Sequence, residues 1–279
     1  MFRIPAMLAL LPAALASAAL LAAPSEITVD IKLDSVDYVS GERVRAVVDV
    51  VNLSPATLRV GYPDSTDRLF VEVYRSGDMS QLDAVSDRRF VSEFILKSNE
   101  GQKLETFLGA HYGLREPRRY LCKPVLVHAG KRYEGQLRAF DIVPGMRITG
   151  ALQMFANADG LQREFDLLYW RREGRDHLFL AAHDEGGGDR KWETWDLGQI
   201  FRITKPTVSV MPGGEVVVFH RVDADWFVRT EFWSVPAKLR FHNRELVQDP
   251  ETAGQNRVRE LYRESGGVEA KPHPWWKFW

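Results

Sequence analysis

From Ile27 onward the chain alternates apolar and polar side chains in short runs, broken by clusters of Gly, Pro, Asn, Asp and Ser. A two-residue period of this kind marks half-buried β-strands. ITVDIKL (27–33) is the first such run. In DYVSGERVRAVVDVVNLSP, Tyr38 and a Ser-Gly turn lead into Val44, Ala46, Val48 and Val50 on one face, with Arg43, Arg45, Val47 and Asp49 on the other. Asn52-Leu53-Ser54-Pro55 ends that strand with turn chemistry. Further strands are predicted at 69–75, 90–96, 104–112, 120–128 and 137–143, separated by Ser76-Gly77-Asp78, Asn99-Glu100-Gly101, Gly113 and Ala129-Gly130-Lys131. Strands of this length and spacing predict an antiparallel sandwich over 25–145, bounded by Pro144-Gly145.

The second half stays β-rich and becomes dense in Trp. FDLLYWRR (165–172) and HLFLAAHD (177–184) flank the hairpin signal Glu173-Gly174-Arg175, and WETWDLG (192–198) follows a glycine-rich stretch. Residues 208–236 read as strand, Gly-Gly turn, strand, short loop, strand, and 237–247 as one more extended segment. LFLAAH (178–183) stands 38 residues before VVVFHR (216–221), and Trp195-x-Leu197 stands 38 before Trp233-x-Val235. That period predicts two blade-like units over 146–248. Two units cannot close a propeller of about four to eight blades, so each sheet is expected to be covered by its neighbour rather than completed by several chains. The fold class expected is therefore all-β. Asp249 as N-cap with Pro250 at the first helical position, the apolar positions Val258, Leu261 and Tyr262, and Gly266-Gly267 predict a short helix over 249–267. An aromatic tail, 268–279, ends in KPHPWWKFW.

The pattern Tyr38-x-x-Gly41-Glu42-x-Val44-x-x-x-Val48-x-Val50-x-Asn52-x-Ser54 resembles the early strands of bacterial immunoglobulin-like and macroglobulin-type sandwich domains, over roughly residues 26–63. The resemblance implies an architecture and no particular activity. HDEGGGDRKW loosely resembles the Asp-box of BNR or sialidase-type repeats, Ser-x-Asp-x-Gly-x-Thr-Trp: Asp184 and Gly186 match, Trp192 comes three residues late and the leading Ser is missing. Sialidase-type hydrolases also use an arginine cluster and a tyrosine nucleophile. Arg171, Arg172 and Tyr169 match no motif of that kind, so no catalytic role transfers to them.

The N-terminus changes the picture of where the protein works. Arg3 precedes an uncharged stretch from Ile4 to Ala23 with small residues at signal-peptidase spacing, which reads as a signal peptide over 1–23. An uncleaved anchor is the rival, opposed by Pro5 and Pro12. Cys122 is the one cysteine, so no intrachain disulfide forms. A net charge of −1 gives no field to recruit nucleic acid. The expected home is the periplasm or the cell exterior.

Candidate chemistry is sparse. No nucleophile elbow, His-Glu-x-x-His motif, phosphate loop or calcium loop is present, and no cofactor or metal is expected. Cys122, mid-strand beside Leu121, reads as an inert buried thiol. Asp184, Glu185, Asp189, Asp196, Asp223, Asp225 and Glu231 would have to converge in pairs to hydrolyse a glycoside. Trp192, Trp195, Trp226 and Trp233, with Asp184 and Glu185, are the candidate contacts for a ligand or partner, against a plain role in packing. The tail residues Trp275, Trp276, Phe278 and Trp279 suit docking on the protein's own sheet, insertion into a partner, or peripheral contact with a membrane. The expectation is an exported, non-catalytic binding or envelope protein with a protein or polysaccharide partner; the alternative is a carbohydrate-active protein working through the second half.

Overall fold

The computed structural model describes residues 26–85, 90–155, 161–185, 192–236 and 238–249. The expected signal peptide, C-terminal helix and aromatic tail lie outside them. Among the described residues the fold is all-β, with a single turn of 3-10 helix at Leu108–Ala110. No described helix is long and apolar enough to cross a membrane.

The first set of strands is β1 (Ile27–Leu33), β2 (Asp37–Val39), β3 (Arg45–Asn52), β4 (Leu58–Val60), β5 (Arg68–Arg75), β6 (Phe94–Leu96), β7 (Glu100–Phe107), β8 (Arg118–His128), β9 (Lys131–Glu134) and β10 (Arg138–Val143). They form a three-stranded sheet β1-β3-β7, a sheet β2-β10-β8-β5 with β9 beside β8, and the pair β4-β6. All these pairings are antiparallel except that of β2 with β10. The alternation read in the sequence is the burial pattern: Ile27, Val29 and Ile31 from β1, with Ala46, Val48 and Val50 from β3, enter one core shared with Val71, Val73, Tyr120, Cys122 and Phe140. Cys122 is fully buried, and loss of hydration raises its thiol to about 12, so it stays protonated.

The second set is β11 (Met146–Met154), β12 (Gln162–Arg172), β13 (Arg175–Glu185), β14 (Trp192–Gln199), β15 (Thr207–Val210), β16 (Glu215–Arg221), β17 (Trp226–Val235) and β18 (Lys238–Gln248). They make two four-stranded antiparallel meanders in sequence order, β11 to β14 and β15 to β18. The β12–β13 turn is the expected hairpin: Glu173 and Gly174 both have positive φ, at 50° and 79°, as a two-residue hairpin turn requires. Phe165, Leu167, Leu178 and Leu180 from one meander meet Val216, Val218 and Phe232 from the other in a second core.

Three expectations change in detail. The strand expected at 90–96 shrinks to Phe94–Leu96: Val91 is buried and Phe90 partly buried against the core without joining a ladder, Phe90 stacking on His111 at 4.4 Å. The strand expected at 104–112 ends at Phe107, where the chain turns and the Leu108 N–H bonds the Val44 carbonyl at 2.8 Å. The 38-residue echo links the third strand of one meander, β13, to the second strand of the other, β16, so it does not superpose the two sheets strand for strand.

Between the two meanders lies a buried ion pair. Arg163, 3% exposed at its side chain, meets Asp184, 4% exposed, at 2.5 Å. The same guanidinium donates to Ser234 Oγ at 2.9 Å and to the carbonyls of Val235 and Pro236 at 3.0 and 3.3 Å, so one residue of β12 ties down the end of β17. Removing one partner strands a buried charge. Arg163→Ala is therefore expected to lower stability by about 3–5 kcal/mol in urea unfolding, with the apolar pair Arg163→Met/Asp184→Leu recovering part of the loss. A loss under about 1 kcal/mol in Arg163→Ala would contradict this.

Candidate functional site

The two sets of strands meet along a joint built from the β2–β3 turn, the β12–β13 hairpin and β14. Val39, Leu168, Phe179 and Ala181 form a small apolar cluster there. Gly145 turns the chain into the joint at φ 68°, with Leu168 and Val39 close enough (3.2 and 3.3 Å) to crowd any Cβ placed there. Beside the cluster, Thr194 of β14 donates its N–H to the Gly41 carbonyl at 3.0 Å and its hydroxyl to the Ser40 carbonyl at 2.6 Å. Trp170 Nε1 donates to Asp37 Oδ2 at 2.7 Å.

Arg172 is the centre of the joint. Its guanidinium grips Glu42 with two bonds, 3.0 and 2.7 Å, reaches Asp196 Oδ2 at 3.1 Å and donates to the Asp37 carbonyl at 3.1 Å. The Asp37 carboxylate lies 3.5 Å from its Nε. Three carboxylates thus surround one guanidinium. Burial alone would pull the Arg172 pKa down, but the bonds and charges of Glu42, Asp196 and Asp37 raise it. Burial pushes Glu42 above the usual carboxylate range, although Arg172 and the Val39 N–H pull the other way. Burial would raise Asp196 too, yet His177, the Gly198 N–H and Arg172 hold it below that range.

A cavity of about 880 Å³ opens beside this network. It is lined by Asp34, Glu42, Arg172 and Asp196 and, from the second meander, by Val222, Val228, Arg244 and Leu246. Arg244 spans the seam between β18 and β14 and donates to the Leu197 carbonyl at 2.7 Å. Gly198, at φ 83°, lets it approach: a Cβ there would stand 3.0 Å from Arg244 Nη2. Arg244 is exposed as a whole residue, yet burial of its head lowers its pKa, with Asp196 opposing. The cavity hydroxyls are engaged elsewhere: Tyr38 donates to Asp34 at 2.5 Å and Ser35 to Asp37 at 3.3 Å, while His177 Nδ1 faces Asp196 at 3.1 Å.

The residues singled out from sequence do not assemble into this site. Trp195 packs edge-on against Phe232 at 5.5 Å within the second core, with Arg43 over its outer side. Trp226 opens β17 and its carbonyl closes the turn from Val222. Trp233 is 41% exposed on the outer face, against His242. Trp192 pairs with His183 in the ladder, and its side chain lies outside the described residues. Asp184 is spent on Arg163, Glu185 is exposed at the end of β13, and Glu231 pairs with Arg229 on the outer face of β17. Asp189 lies outside the described residues, and of the other six acidic candidates only Asp196 lies in the cavity. Glu42 entered the sequence reading only through the Gly41-Glu42 turn pattern and Arg172 only as an arginine that matches no motif, while Arg244 carried no signal beyond a charged residue in an extended segment.

Among the described residues one group could offer three metal donors: Glu164, Asp166 and His183, with ligand atoms within 4.8 Å of one another. Arg147 already bridges the two carboxylates at 2.7 and 2.6 Å, so a cation would have to displace it.

No protein-family model matches the chain, and no curated protein matches it. Solved structures similar to the chain include the crystal structure of Spo0M, a sporulation control protein from Bacillus subtilis. That match has 11% identity over 86% of this chain and 98% of that one, at a TM-score of 0.31, and at that score it carries no argument about function.

His220 sits one register row from the cavity wall, opposite Val228, and is 1% exposed. Burial drives its pKa down to about 3, helped by the Arg244 charge and eased slightly by the Gln199 backbone. The folded protein therefore refuses a proton that the unfolded chain accepts near 6.5. Its contribution is intact above about pH 6.5 and is lost as pH falls toward 3, with a limiting slope of about 1.4 kcal/mol per pH unit. His220→Leu is expected to flatten the fall of melting temperature between pH 7 and 4.5. An unchanged slope would contradict the assignment.

Proposed function

We propose that the protein is an exported, non-catalytic binding protein of the cell envelope or exterior, and that its ligand seats in the cavity at the joint. The observation that carries this reading is the cavity itself: about 880 Å³, lined by charged groups from both sets of strands together with the apolar side chains Val222, Val228 and Leu246. Sites for small ligands have this size and this mixture of apolar surface with a few placed polar groups. Export rests on the N-terminal stretch from Arg3 to Ala23. The first set of strands is read as an immunoglobulin-like sandwich and the second as two blade-like sheets packed face to face; both serve here to hold the joint. The carbohydrate-active reading loses support, because Asp184 and Glu231 are tied into separate ion pairs on different faces.

The test is thermal unfolding of the chain from Ser25 with panels of amino acids, short peptides and oligosaccharides, run beside Leu246→Asp, which places a carboxylate in the cavity next to Arg244. A true ligand at a hundred times its Kd adds about 2.7 kcal/mol, roughly 5–10 °C for a chain of this size. The expected result is stabilisation of the parent and none of Leu246→Asp. Equal stabilisation of both, or of neither, would sink the reading.

A further inference from the structure

β18 ends the β15–β18 sheet, and every residue from Arg240 to Leu246 is exposed. The direction of its main-chain groups follows from β17. The Ser234 N–H bonds the Gly214 carbonyl and the Trp226 carbonyl accepts from Val222, so the even-numbered residues of β17 aim their groups at β16. Their partners on β18, which are Leu239, Phe241, Arg244, Leu246 and Gln248, therefore aim theirs away from β17, at the free edge. Among the described residues no other strand takes these groups, and the Arg244 N–H meets only the Asn243 side-chain oxygen, at 2.8 Å. An edge of this length is a template for another strand. The same residues turn their side chains inward: Leu239 enters the second core, and Arg244 and Leu246 line the cavity. Phe241 and Leu246 nevertheless stay 50% and 41% exposed. One extra residue, His242, interrupts β18, because Phe241 and Asn243 oppose the adjacent residues Phe232 and Glu231.

We infer that β18 pairs antiparallel with β18 of a second copy of this chain, across a two-fold axis between His242 and Asn243. Leu239 then lies opposite Leu246 of the second copy and Phe241 opposite Arg244, each pair exchanging main-chain bonds through groups that already face the edge. Arg240 falls opposite Glu245 of the second copy on the outer face. The cross-strand partners are thus apolar with apolar, an aromatic ring with a guanidinium, and opposite charges. Arg240 has no carboxylate partner of its own among the described residues, and Glu245 is 48% exposed with Arg229 at 3.3 Å. The extra residue fixes the register. In a regular strand an axis between two residues would set inward side chains against outward ones. The bulge shifts that parity by one, so inner meets inner and outer meets outer. Sliding by two residues would put the bulge of one copy against regular strand of the other. Charged edges deter pairing with arbitrary strands; here the charges select this partner. The inference does not depend on what the cavity binds, although the second copy would border it at Arg244 and Leu246.

The experiment is sedimentation equilibrium of the chain from Ser25 between about 1 and 200 μM, with thermal unfolding of each variant to check that it folds. The parent is expected to be a dimer. Arg240→Glu and Glu245→Arg each set like charges opposite one another and are expected to weaken the dimer about tenfold or more, while the two together restore it. Arg240→Cys/Glu245→Cys is expected to give a disulfide-linked dimer on mild oxidation, and Arg240→Cys alone is not. If the charge reversals do not fold, the cysteine pair carries the test. A parent that stays monomeric at the highest concentration would overturn the inference. So would a dimer that both single reversals leave unchanged, or one that the cysteine pair fails to link.

Discussion

One guanidinium holds the two halves of this molecule in register. Arg172 lies in the β12–β13 hairpin, yet its strongest partner is Glu42 in the turn before β3, with Asp37 and Asp196 completing the set. A charge removed from water is stable only when its partners replace the lost hydration, and here they come from both sets of strands. Separating them would strand Arg172 on one side and Glu42 on the other. The apolar contacts around Val39 and Leu168 and the bonds of Thr194 to the Ser40 and Gly41 carbonyls add to the same joint.

The cavity follows from the same constraint. The joint brings Asp34 and Glu42 against the open side of the second half, where β18 extends past the cover of the opposing sheet. Arg244 closes part of that gap onto Leu197 and keeps donors to spare. Packing alone would have filled such a seam with apolar side chains. Instead it keeps Asp34, Glu42, Asp196 and Arg244 beside Val228 and Leu246, the mixture of charged and apolar groups that suits a ligand.

The β-architecture was legible because burial follows a two-residue period: Val44, Ala46, Val48 and Val50 are each fully buried, as their alternation with charged residues requires. β11 is not read as a strand from the sequence although Met146, Ile148, Leu152 and Met154 alternate with Arg147, Thr149 and Gln153; Gly150 interrupts the apolar face, and in the fold only Ile148 of that face packs against the core. The candidate site was legible only at Asp196. Its other members are ordinary charged residues far apart in sequence, with 130 residues separating Arg172 from Glu42, and single-sequence patterning cannot report a pairing at that range. The tryptophans show the same limit of pattern reading. Trp195 packs against Phe232 in the second core, whereas Trp233 stands 41% exposed on the outer face, and Trp170 bonds Asp37 in the joint. Composition identifies an aromatic anchor; only topology says what it anchors.

The most direct test of the account is calorimetric unfolding of the chain from Ser25 and of Arg172→Ala. If the Arg172 network couples the halves, the parent unfolds in one transition, with calorimetric and van't Hoff enthalpies equal. The variant then unfolds in two, the first of them several degrees below the parent. A variant that unfolds in one transition at the parent's melting temperature would show that the halves are held together by something other than this buried charge.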